Sequence, residues 1–316
     1  MHTRITCRLP IKRSLGYSHV SQWGRQKGIT LVELMVGVAI GLMVVAVAGG
    51  ALMVSRSTSG TISDVSALQQ QAGYAFRVIG QQLRQAGSLY LNLNSTNNYS
   101  PDVDSRLTPV GIEAKATSSN GKETFSPVSD SLGGTDTTLR AGFRGYQMPI
   151  YALDGTSTDQ ILSRDCLGGP QNSDVAVRIS SSFALSGNKL VCTGSASLDP
   201  QTLLGNVANF RIRYLRMTGN ATGNPAIEYV DATTAKDHWS QITGVEVCLV
   251  LYGTETMNIP SATYTDCDGT TSVDYTKADS TDMSGNAIGA DRAQRLHKVF
   301  RSVYQVRSQG LIGNVL

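Results

Sequence analysis

Charged side chains are scarce in this sequence, at 16% of residues, and the first 28 positions contain no acidic residue at all. They do contain Arg4, Arg8, Lys12, Arg13, Arg25 and Lys27, which leaves 21 basic against 24 acidic side chains in the remainder. Nonspecific nucleic-acid binding depends on cations that displace counterions from phosphates, so a mildly acidic body argues against a general role of that kind. Gly-x-Ser-x-Gly, a P-loop and His-Glu-x-x-His are missing too, and with them the motif-borne hydrolase and nucleotide chemistries. His2 and His19 fall in the basic stretch, while His238 and His297 stand isolated, so no acid–base grouping forms and no enzyme is expected. No Cys-x-x-Cys pair exists and no histidine lies near a cysteine at ligand spacing, which argues against a zinc site. No metal and no cofactor are expected.

What is present is a 316-residue chain, 41% apolar, long enough for one good-sized core or two small ones. Cys7 lies in the basic stretch, and Cys166, Cys192, Cys248 and Cys267 follow it. An even number of cysteines on the exported side of a membrane implies two disulfides, with three connectivities open. The pairing Cys166–Cys192 and Cys248–Cys267 is favoured because each closes a local loop of roughly 20–30 residues. Asp266-Cys267-Asp268-Gly269 begins like a calcium loop but lacks the later oxygen ligands and the closing glutamate, so a stapled turn is the simpler reading. Tyr90, Tyr99, Tyr146 and Tyr151 lie in or beside a loop-rich half, where tyrosine serves equally for burial or for an interface.

From Leu34 to Val54 the chain runs 21 residues without a charge or a proline, enough for a helix to cross roughly 30 Å of hydrocarbon. It is not an ordinary secretory signal, because no apolar core lies within residues 1–28. The preceding positive charges hold that end in the cytoplasm and send the C-terminal bulk across the inner membrane. Glu33 stands at the mouth of the apolar run, where a carboxylate is costly and needs a partner. A cut between Gly28 and Ile29 would create an α-amino group four residues away, in the same chain or presented by a neighbour.

Lys27-Gly28-Ile29-Thr30-Leu31-Val32-Glu33-Leu34, set immediately before that run, resembles the class III signal of type IV pilins and type II secretion pseudopilins. The resemblance implies that a membrane-embedded prepilin peptidase cuts after Gly28 and methylates Ile29. It also implies that Glu33 registers an incoming subunit against its neighbour's N-terminus. The sequence departs from the family in having isoleucine where phenylalanine is commoner, in its longer leader, and in having Gly50 where major pilins often carry a proline. Gly49-Gly50 is a weak point in the helix by composition.

Beyond the apolar run, Ile62, Val65, Leu68, Ala72, Phe76, Ile79, Leu83 and Ala86 recur at steps of three and four, the signature of one helical face. Gln69, Gln70, Gln82, Arg77 and Arg84 are read as its polar side, and Gly87 as its end. Residues 92–145 read as loops and short strands. Strands are expected at Asp174–Ser181, Lys189–Thr193, Val207–Met217, Gly244–Tyr252 and Arg295–Val306. The expected fold class is α+β, with a long N-terminal helix packed on an antiparallel head. Its parts are a leader over residues 1–28, a membrane and filament helix over 29–54, an amphipathic continuation over 55–90, and a periplasmic β-rich head over 91–316.

Ala75-Phe76-Arg77, Leu83-Arg84-Gln85-Ala86-Gly87, Val207–Tyr214, and Trp239 ahead of Val245–Leu249 are similar to PilW-type minor pilins, relatives of the J-type pseudopilins. That resemblance implies a structural subunit that initiates pilus assembly and rides at the filament tip. Its partners would be the peptidase, other minor pilins, the major pilin and a tip adhesin, in pili used for twitching, adhesion or DNA uptake. A J-type pseudopilin is the competing reading, against which the head size and four exported cysteines argue. A DNA-uptake pilin would need a basic patch, for which Arg211, Arg213 and Arg216 are the available residues, although only the first two share a strand face.

Overall fold

Leu31 opens a helix that runs unbroken to Gln85, through Gly49-Gly50. It belongs to a computed structural model that describes residues 28–88, 91–92, 111–112, 125, 127–170, 178–219 and 225–306. The chain divides into two compact units, residues 1–55 and 56–316. In the first, the described residues are the start of the helix and its apolar run. Leucines, valines, methionines and isoleucines cover all sides of this segment, so no polar face exists to choose solvent and no stripe to choose a core.

In the second unit the helix has a distinct inner face. Leu68, Ala72, Ala75, Ile79, Leu83 and Ala86 are buried, at the spacing that the apolar pattern predicts. Ile62, read as the start of that stripe, is instead exposed. Asp64 occupies the buried line one turn before Leu68, and its carboxylate accepts hydrogen bonds from the Thr254 hydroxyl and the Glu255 amide, each at 2.9 Å. Further along, Gly80 lies flat against the ring of Tyr304, where a β-carbon would collide, and the Tyr304 hydroxyl donates to the Phe76 carbonyl at 2.7 Å. Gly87, at φ 70°, then turns the chain out of the helix and donates its amide to the Gly142 carbonyl. The helix therefore ends at Gln85, short of the residue-90 boundary read from the sequence.

Gln82 corrects the reading of the polar side. It is buried, accepting from the Ser181 hydroxyl at 3.0 Å and donating to the Arg164 carbonyl at 3.2 Å. A buried amide is tolerated when both its ends are paired, and here the partners come from residues about 80 and 100 positions away, which helical periodicity cannot reveal.

The helix packs on an antiparallel four-stranded sheet in the order 225–230, 207–219, 242–256, 295–305. Phe210 lies opposite Leu249, and Leu249 opposite Phe300; Tyr214 lies opposite Val245, and Val245 opposite Tyr304. These side chains share one face, which closes the core with the helix. A second antiparallel sheet of five strands, ordered 132–134, 138–144, 178–186, 189–194, 201–204, adds Leu139, Ala141, Phe183 and Leu190 to the same core. The other face of the four-stranded sheet is covered in part by residues 257–294, which include a small hairpin pairing 263–265 with 272–274.

The five strands expected from the sequence are present, with the first described from Arg178 onwards. The segment 138–144, read as part of a loop-rich stretch, is a regular strand with Leu139, Ala141 and Phe143 buried. A hairpin of 147–151 with 157–161 and an edge strand at 225–230 had no expectation at all.

Candidate functional site

The residues that carry the chemistry read from the sequence sit at the helix start. Gly28, Ile29 and Thr30 precede the helix, and the Thr30 hydroxyl accepts the Glu33 amide at 3.2 Å while its carbonyl accepts the Leu34 amide at 3.1 Å. Thr30 is thus the N-cap, in the Thr-x-x-Glu spacing of a capping box. Sequence reasoning treated Thr30 only as one letter of a motif, although that spacing was a signal for its role. Glu33 is the acidic residue of the first turn, where a negative charge also suits the helix dipole, and its side chain is exposed.

Beyond Glu33 the apolar side chains from Leu34 to Val54 all stand exposed, including Leu42 at 66% and Val47 at 68%. At 1.5 Å per residue these 21 positions reach about 31 Å, the thickness of a bilayer's hydrocarbon core. By length and composition the helix is long and apolar enough to cross a membrane.

Residues 23–49 match the model of the prokaryotic N-terminal methylation motif. The chain carries a prepilin-type methylation motif. The motif spans Gly28, Ile29 and Glu33 together with the apolar run as far as Gly49. No curated protein matches the sequence. Among solved structures, a type IV-like pilin from Thermus thermophilus aligns over 76% of this chain and 95% of its own length, at 14% identity and a TM-score of 0.34.

Away from the methylation motif, the structure pairs Cys166 with Cys192 and Cys248 with Cys267, at Cα separations of 6.5 and 5.8 Å. The first bridge anchors a loop organised by buried Asp165, whose carboxylate accepts the amides of Leu167, Gly169 and Ser195 and the Ser195 hydroxyl. The second ties the strand 242–256 to the acidic turn. There Asp266 is fully buried and accepts from Asn209 and from the amides of Cys267 and Met283, while Asp268 accepts from Thr270 and Thr271. Among the described residues no group of three or more metal-ligating side chains assembles. These carboxylates close turns.

His297 is buried among Tyr252, Tyr264 and Tyr275, with ring centroids 5.7, 5.2 and 5.4 Å away. Its Nδ1 faces the Arg295 carbonyl at 2.9 Å, and Nε2 is buried without a hydrogen-bond partner. Burial, helped by the charge of Arg292 and opposed by the Arg295 carbonyl, lowers its pKa to about 4. His238 precedes the short 3₁₀ turn 239–241, whose Trp239 meets Tyr214 edge to face at 5.0 Å.

Two of the three arginines are engaged in ion pairs, and the Nε of the third, Arg211, is buried without a hydrogen-bond partner. Arg213 pairs with Glu246 at 2.7 Å and lies over the ring of Tyr229, whereas Arg216 pairs with Glu228 and Gln241. Tyr151 is exposed on the 147–151 strand, and Tyr146 lies beneath Arg144. Tyr90, Tyr99, Cys7, His2, His19 and the basic leader residues lie outside the described residues.

Proposed function

We propose that this chain is a type IV prepilin whose mature form is a structural minor pilin of the PilW type. The observation that carries the reading is the methylation motif over residues 23–49 joined to a helix whose apolar run stands exposed among the described residues. Such a surface requires lipid or other apolar helices around it. The bilayer stores the helix before assembly, and neighbouring subunits replace lipid in the filament. Gly28–Ile29 is the processing site, the Ile29 amine is the site of methylation, and Glu33 supplies the polar register between subunits.

In this reading the head lies in the periplasm while the protein waits in the inner membrane, and at the cell surface once incorporated. Two disulfides suit an oxidising compartment. The head meets other minor pilins in an initiating complex and travels at the tip, so the role is structural and not enzymatic. Arg213 and Arg216 each pair with a glutamate, which weakens the case for a DNA-uptake version of this function.

Mass spectrometry of the N-terminus of membrane-extracted protein tests the assignment. The expected mature chain starts at an N-methylated Ile29, and replacement of Gly28 by a bulky residue leaves the precursor uncut. A chain that starts at Met1, or at any residue other than Ile29, overturns it.

A further inference from the structure

The helix begins at Leu31 because Thr30 caps it. The first hydrogen bond of the backbone ladder runs from Leu34 to the Thr30 carbonyl, and the Thr30 hydroxyl takes up the Glu33 amide. The Gly28–Ile29 peptide therefore lies two residues outside the helix. That boundary is not dictated by the apolar pattern, which continues back through Ile29. Gly28 is itself an acceptable N-cap. If the Thr30 oxygen were lost, a start at Gly28 would compete, and the Gly28 carbonyl would then accept the Val32 amide as the first rung.

The consequence concerns hydrolysis. Cutting this bond adds the water hydroxyl to the Gly28 carbonyl carbon and its proton to the Ile29 nitrogen, giving a free carboxyl and a free amine. The attacking oxygen and the enzyme's own donors must both reach that carbonyl. A carbonyl already bound in a helical rung is turned along the helix axis and occupied. On the prepilin reading, we propose that Thr30 is a positioning residue for leader removal, its cap holding the scissile peptide outside the helix. At a membrane face, where water is a poor substitute partner, an uncapped amide is costlier than in solution, which strengthens the dependence on Thr30.

The experiment measures the rate of leader removal from full-length precursor in membranes co-expressing a prepilin peptidase. Variants are Thr30→Ala, Thr30→Val, Thr30→Ser and Thr30→Asn, with Gly28→Leu as the uncut reference. A lost cap shifts helix-start populations by roughly three- to tenfold, so Thr30→Ala and the near-isosteric Thr30→Val should be cut about that much more slowly. Ser and Asn, both good caps, should restore the rate to within about twofold of wild type. The Asn variant separates capping from direct reading of a hydroxyl: if Ser is fast and Asn is as slow as Ala, the peptidase recognises the hydroxyl and the capping role is wrong. Equal rates for Ala, Val and wild type overturn the proposal while leaving the prepilin assignment intact. Wild-type protein cut elsewhere than before Ile29 overturns both.

Discussion

A histidine is the residue type most easily taken for chemistry, and His297 shows how its surroundings decide otherwise. Three tyrosine rings exclude water, and the orphaned Nε2 has no acceptor for a second proton. The folded state therefore holds this imidazole neutral down to about pH 4, whereas an unfolded chain protonates near 6.5. Because the folded pKa is the lower one, the stability linked to His297 is fully present above pH 6.5. It declines as pH falls towards 4 and then levels off, a loss of about 3 kcal/mol. Denaturant unfolding of wild type and His297→Phe, followed from pH 7 to 4, should show the wild type losing more stability across that window. Parallel pH profiles would falsify the account. Asp64 teaches a related lesson, since an acid on the line Leu68, Ala72, Ala75 signals a buried polar partner, a clue that was legible and went unused.

Secondary-structure elements were readable where burial imposed a period. The strands 207–219 and 242–256 alternate apolar residues towards the helix core, so their pattern survives in sequence. The hairpin 147–151 with 157–161 leaves most of its residues exposed on both faces, and so nothing selects alternation. The edge strand 225–230 is similar: exposed along most of its length, it owes its existence to pairing with 214–219. The methylation motif was fully legible because its chemistry depends on adjacent residues. The Gln82–Ser181–Arg164 network was not, because its members meet only after folding.

The disulfides belong to this scale too, since each ties a loop to a strand. Non-reducing peptide mapping should recover Cys166 linked to Cys192 and Cys248 linked to Cys267. Each closes a loop of 26 or 19 residues and contributes about 3–4 kcal/mol in the chain-entropy picture. A peptide joining Cys166 to Cys248 would show the pairing to be wrong. Mutating both cysteines of either pair to serine should lower the denaturation midpoint without affecting leader removal.

For the molecule as a whole, Glu33 tests whether the N-terminal helix serves assembly and not folding of the head. It lies in the first turn of the helix, within the first unit, and an unpaired carboxylate near lipid is a cost. Glu33→Ala should therefore insert at least as well as wild type and reach a normal membrane level, with its leader removed normally. In a strain lacking the native protein, the variant should be depleted from sheared filaments, with fewer pili if this subunit primes assembly. Unchanged incorporation and piliation would remove the register role for this subunit.

The paired contacts along the head's helix also have a mechanical meaning. Asp64 grips Thr254 and Glu255, and twelve residues on, about 18 Å along the axis, the Phe76 carbonyl holds the Tyr304 hydroxyl. The two attachments reach different strands, 242–256 and 295–305, which are hydrogen-bonded to each other. Tension drawn through the helix is shared by two anchors on adjoining strands with a buried apolar seam between them. A subunit fastened in this way passes traction from its stem into the middle of a sheet, where yielding requires both anchors and the seam to give way together.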